Sequence, residues 1–134
     1  MKKLLLVLLV FICSCCKNDN DRFIKNNEFI SEPGNYYHKT IKIIVKEFKD
    51  GSLIYGIADL KNNIIYQQEI NHSFSNNSRW VLYIDKNDNI WFHTSDLQLT
   101  SVLLKGNRKD EYVYKRINDN NTVPIPNEFK LKLK

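Results

Sequence analysis

The chain has 134 residues, with 20 Lys and Arg against 15 Asp and Glu, and only 4 Gly. That length suits one domain. The net charge of +5 is spread along the chain and forms no basic stripe, so it gives no support to nucleic-acid binding. The scarcity of glycine leaves little material for phosphate-cradling loops.

The first stretch decides where the rest is expected to sit. Met1-Lys2-Lys3 is a short basic start, residues 4–12 are unbroken apolar sequence, and Cys13-Ser14-Cys15-Cys16 follows. These are the parts of a secretory signal. The apolar run is far shorter than the ~20 residues of a membrane-spanning helix. Ile12, Cys13, Ser14 and Cys15 resemble the lipobox of small bacterial lipoproteins, with an aliphatic residue at −3, a small one at −1 and the acceptor cysteine at +1. Cys13 as acceptor would place bulky Ile12 at −1, and Cys16 would place cysteines at −3 and −1.

The resemblance implies removal of residues 1–14 and lipidation of Cys15. It further implies a membrane anchor made of several acyl chains, since one chain alone holds only reversibly. Cys16 at +2 is not the aspartate of inner-membrane retention, so the analogy points to the outer membrane. It leaves open the periplasmic or the surface side. Loss of Lys2 and Lys3 lowers the net charge by two, from +5 to +3. All three cysteines lie at positions 13, 15 and 16, so the domain has none of its own and must be held by its core.

Residues 15–37 read as lipidated cysteine and tether, and 38–134 as the domain. Asn18-Asp19-Asn20-Asp21 and Asn26-Asn27 are polar, and Pro33-Gly34-Asn35 is turn chemistry. Phe23, Ile24, Phe29 and Ile30 are apolar enough to pack locally. From Thr40 the period is two: Ile41, Ile43 and Val45 alternate with Lys42 and Lys46, which predicts a half-buried strand. Asp50-Gly51 predicts a hairpin turn into a strand at 52–60. Further strands are expected at 64–70, 79–85, 90–95, 97–104 and 111–117, with a polar loop at 71–78. One helical turn is expected after Pro126. Short strands at regular spacing predict a mainly β domain: a single antiparallel meander, a sandwich or an open barrel.

The strands at 79–85 and 90–95 are separated by four polar residues and should pair as a hairpin, with Ile84 near Ile90, Leu82 near Phe92 and Trp80 near Thr94. One face then carries Trp80, Leu82, Ile84, Ile90 and Phe92, which is apolar enough for the core. The other carries Val81, Tyr83, Trp91 and His93. Tyr83, Trp91 and His93 are therefore the candidate partner-binding face, unless the tail covers them.

Residues 85–89 (Asp-Lys-Asn-Asp-Asn) offer oxygens at alternate positions, and Asp96 falls twelfth, as in a calcium loop. The sixth position is Ile90 where such a loop needs Gly, and the flanks are strands, so a plain turn is expected. This strand–turn–strand also resembles one repeat of sensor-type β-propellers, but a single copy builds a hairpin only. His38, His72 and His93 form no His-Glu-x-x-His, so no metal site is expected, and no cofactor. No Gly-x-Ser-x-Gly elbow occurs. The expectation is a binding or structural module of the cell envelope without catalysis. Its partners would be the membrane, through lipid on Cys15, and a protein or glycan, with no nucleic acid. An immunity or inhibitor lipoprotein acting against an envelope toxin or hydrolase is the alternative. The mildly basic balance counts against the lysozyme-inhibitor type, which faces a basic enzyme.

Overall fold

The computed structural model describes residues 21–118 and 123–134. The apolar run and Cys15 lie outside these residues. The described part is mainly β, built from two sheets that pack as a sandwich and do not close into a barrel.

The first sheet holds β1 (Asp21–Phe23), β3 (Gly34–His38), β4 (Ile41–Glu47), β5 (Ser52–Asp59) and β6 (Ile64–Gln67) in that spatial order, with β7 (Phe74–Ser75) also paired to β5. The second holds β11 (Tyr112–Arg116), β10 (Leu99–Lys105), β9 (Ile90–Thr94), β8 (Trp80–Ile84) and β2 (Phe29–Ile30). Among the described residues only the β1–β3 pair is parallel. A 3₁₀ turn (Ile70–His72) and a C-terminal helix α1 (Asn127–Leu133) complete the chain.

The turns explain the meander. At 48–52 Phe48 N–H donates to Ser52 O and Gly51 N–H to Phe48 O, with Gly51 at φ 84°. This is a type I turn closed by a left-handed residue, the common three-residue hairpin loop. The same bonding recurs at 59–63 and 85–89, where Asn62 and Asp88 take positive φ. Both are residue types that tolerate that region because their short polar side chains bond locally. Asp59 and Asp85 each accept backbone N–H bonds from two residues of their own turn.

Alternation then sets the core. Ile41, Ile43 and Val45 of β4, and Leu53, Tyr55 and Ile57 of β5, face Trp80, Leu82 and Ile84 of β8, and Ile90 and Phe92 of β9. The β8–β9 register is as the sequence predicts: Ile84 opposite Ile90, Leu82 opposite Phe92, Trp80 opposite Thr94. Aromatic rings run through the middle, from Tyr66 to Tyr55, Phe92, Phe74 and Trp80, with successive centroids 5.7, 4.7, 4.9 and 5.2 Å apart.

The domain begins earlier than residue 38. β1, β2 and all but the last residue of β3 lie within the stretch expected as tether, and Ile24, Ile30 and Tyr36 are buried in the main core. Short edge strands with few residues carry almost no periodicity, so this part reads as polar linker in sequence. The stretch expected as strand to residue 70 ends at Gln67. Buried Gln68 then accepts Tyr55 N–H at its Oε1 where β6 gives way to β7.

Candidate functional site

Tyr83 and Trp91 do not form an open face. Both are buried, on a second apolar cluster with Val81, Val102 and Phe129 that lies on the outer side of the second sheet. The tail makes this cluster: Val123 and Ile125 pack onto it, and α1 drives Phe129, 0% exposed, against both rings. Phe129 sits 6.0 Å from Tyr83 and 5.8 Å from Trp91, and Phe29 stacks on Tyr83 at 4.6 Å. Their polar ends are also satisfied, with Tyr83 Oη donating to Asn27 Oδ1 at 3.1 Å and Trp91 Nε1 to Asp85 Oδ2 at 2.9 Å. The candidate face is thus occupied by the chain itself. His93 is half-buried and bonds Thr100 Oγ1 through Nδ1 at 2.8 Å. Burial, and then the nearby Arg79 charge, hold its ring below the usual histidine pKa.

The turn at 85–89 is a hairpin turn and not a calcium loop. The Asp85 carboxylate accepts from the backbone of Asn87 and Asn89, from Asn89 Nδ2 and from Trp91 Nε1. Asp96 belongs to the turn at the other end of β9, where Oδ2 accepts Ser75 N–H. Among the described residues no three His, Cys, Asp or Glu gather as metal ligands.

The other side of the same turn builds a polar clasp between the sheets. His38, 3% exposed, ends β3 of the first sheet; Asp88 lies in the β8–β9 turn of the second. His38 Nε2 meets Asp88 Oδ1 at 3.0 Å, and His38 Nδ1 meets Ile24 O at 2.9 Å. Asn26 Nδ2 donates to Asp88 Oδ1 at 2.8 Å, and Lys39 Nζ reaches both carboxylate oxygens at 2.9 and 3.0 Å. Burial pushes the Asp88 carboxyl up, but bonds from Lys39, Asn26 and His38 outweigh it and hold it well below the usual carboxylate range. Both His38 nitrogens face acceptors, a carbonyl and a carboxylate, so neither is placed to take a proton from a third group. This His–Asp pair joins sheets and lacks the free nitrogen of a general base. Histidine and aspartate fifty residues apart gave no signal in the sequence; only the strand order brings them together.

At the opposite edge Tyr66 stacks on Tyr114 with centroids 5.6 Å apart, bridging β6 and β11. Burial first, then Tyr114, pushes the Tyr66 hydroxyl up to about 12. Tyr55 lies behind it, wholly buried, and burial holds its hydroxyl well above the ordinary value. The Tyr55 and Ser101 hydroxyls are buried, and Ser101 and Tyr66 are the polar groups that bear on Tyr55. These phenols stay protonated at neutral pH and act as packing.

The outer face of the first sheet is open at its edges and buried at Ile54 and Ala58 in its middle. Pairing places Phe23, Tyr37, Lys42, Ala58 and Ile64 side by side in one row across β1, β3, β4, β5 and β6. The next row is Asp21, Asn35, Ile44, Gly56 and Gln67. Phe23 is 89% exposed and Ile64 68%, at the two ends of the first row. Lys42 extends over the Tyr37 ring and bonds Asn62 Oδ1. At Gly56 a Cβ would stand 2.8 Å from Tyr66 O, so this position admits glycine alone. Beside the row a shallow cleft of about 400 Å³ is lined by Thr40, Asp59, Leu60, Lys61, Asn63, Lys109 and Asp110. Compared with known protein families, curated proteins and solved structures, the chain matches none.

Proposed function

We propose that this chain is an exported bacterial lipoprotein, anchored through Cys15 to a membrane of the cell envelope, the outer membrane by preference, and that its β domain works by contact with an envelope protein or glycan rather than by catalysis. The observation that carries the reading is Ile12-Cys13-Ser14-Cys15 behind two lysines and a nine-residue apolar run from Leu4 to Ile12. The domain is in keeping with it. No cysteine falls within 21–134, so the core alone holds it in an oxidising compartment. The His–Asp pair has both ring nitrogens engaged, and the Asp85 carboxylate is filled by four donors.

Metabolic labelling with radioactive fatty acid tests the anchor. The wild-type chain should incorporate label. Cys15→Ser should lose it and accumulate as an unprocessed or soluble form. Label that survives Cys15→Ser and disappears in Cys16→Ser would move the anchor by one residue, and no label in the wild type would end the reading.

A further inference from the structure

The first sheet holds β1, the described strand that follows the proposed anchor most closely in sequence. Six residue-to-residue steps separate Cys15 from Asp21, the first residue of β1. At ~3.3–3.6 Å per residue, they reach about 20 Å when fully extended. β1 is one of the two edge strands of the first sheet, and its outward residue Phe23 begins the row Phe23–Tyr37–Lys42–Ala58–Ile64. The row spans five strands, roughly 19 Å at ~4.8 Å per strand.

The row sets one cation, Lys42, among apolar and aromatic groups. Phe23 and Ile64 stand out at either end, and Leu60, 55% exposed, lies just beyond Ile64 in the β5–β6 turn. Lys42 stands in the middle of the row, with Lys61 in the same turn as Leu60 and Lys25 two residues after Phe23. Of the acids nearby, Asp88 is paired with Lys39; Asp59 and Asp21 bond neutral N–H and amide groups and keep their charge, and Asp110 lines the cleft beside Lys61 together with Lys109. Exposed apolar side chains among lysines are the composition of a surface that rests in the headgroup region of an anionic bilayer. The lysine stems cover apolar surface while their ammonium groups stay with the phosphates.

We infer that the outer face of the first sheet, through Phe23, Lys42, Leu60, Lys61 and Ile64, lies against anionic phospholipid headgroups and fixes the orientation of the domain on its membrane. The inference rests on the Cys15 anchor, which confines the domain to within about 20 Å of the bilayer. One contact face sets how the domain presents its other side. α1, on the far side of the sandwich, then points away from the lipid, with Leu131 66% exposed on it.

Depth-dependent quenching tests this on the mature lipidated protein in vesicles with brominated acyl chains. Phe23→Trp and Leu131→Trp place a reporter on each side, and the buried native Trp80 and Trp91 are subtracted using wild type. With phosphatidylglycerol vesicles, Phe23→Trp should be quenched at least twofold and shift to the blue, while Leu131→Trp should not change. Phosphatidylcholine vesicles, or Lys42→Glu with Lys61→Glu, should abolish the effect at position 23. Equal quenching at both positions, quenching at Leu131→Trp alone, or none at Phe23→Trp in phosphatidylglycerol would overturn the inference and leave this face to a protein partner. Fatty-acid labelling reads the anchor separately, so loss of orientation with label retained counts against the face alone.

Discussion

The two sheets have outer faces of opposite fate. The outer face of the second sheet is richly aromatic, and the chain spends its last residues covering it, with Phe129 under a short helix against Tyr83 and Trp91. The outer face of the first sheet carries lysines among its apolar residues; Ile54 and Ala58 are buried in its middle, while Phe23 and Ile64 stand exposed at its two edges. The difference follows from composition. Burying large rings removes enough apolar area from water, at roughly 25 cal/mol per Å², to hold a tail that would otherwise be free. A face in which Lys42 and Lys46 flank Ile44 gains little from such a cover, because the ammonium groups would lose their water.

Substitutions should separate the main core from the tail-made core and both from the lysine-bearing face. Phe92→Ala should cost the most, ~3–5 kcal/mol, because the ring joins Tyr55 and Phe74 between the sheets. Phe129→Ala should cost about 3 kcal/mol, at the lower end because the tail can settle into the gap. Urea melts would show it, with added amide exchange confined to β8, β9 and the tail. If Phe129→Ala proved the more damaging of the two, the tail would be an integral part of the main core.

The clasp comes next. Asp88→Asn keeps a residue that tolerates φ 65° and removes the charge that His38 and Lys39 meet, so it should cost ~1–3 kcal/mol. Because folding depresses the Asp88 pKa, the carboxylate stabilises the fold above the ordinary aspartate value of about 3.9 and loses that contribution as pH falls through the folded pKa. Wild type should therefore lose stability below about pH 4 more steeply than Asp88→Asn does. Parallel acid limbs in the two proteins would remove Asp88 from the account.

Gly51→Val should cost about 1 kcal/mol or more, through the backbone alone. The φ of 84° disfavours a branched residue, while nothing lies within 4 Å of the new Cβ. An unchanged melting midpoint would mean that the β4–β5 turn relaxes to another form. Ile64→Ser, on the lysine-bearing face, should stay within ~0.5 kcal/mol in solution. A larger loss would show that some part of the chain does cover that face.

Much of the second sheet was legible in the sequence because β8 and β9 are sequential, strictly alternating and joined by a short polar turn. Their register followed from counting. The core face of that hairpin followed too, whereas the sequence offered a partner or the tail for Tyr83 and Trp91 without deciding between them. Phe129 in a short segment behind two prolines has no period to announce it. The early strands β1 to β3 were hidden among Asn and Asp, since two or three residues at an edge need no pattern. The row from Phe23 to Ile64 draws on five strands, and the clasp on residues 26, 38, 39 and 88; both need the strand order, which no local signal carries.

Trp91 reports directly on the contrast between a face closed by the chain's tail and a face that carries lysines. In a Trp80→Phe background Trp91 is the sole tryptophan of the chain. Acrylamide quenching of its fluorescence, compared with and without Phe129→Asp, measures whether the tail closes the second sheet. Strong protection in the parent, lost on Phe129→Asp while the β signal in circular dichroism persists, is the expected result. A Trp91 that is freely quenched in both proteins would contradict the closed face.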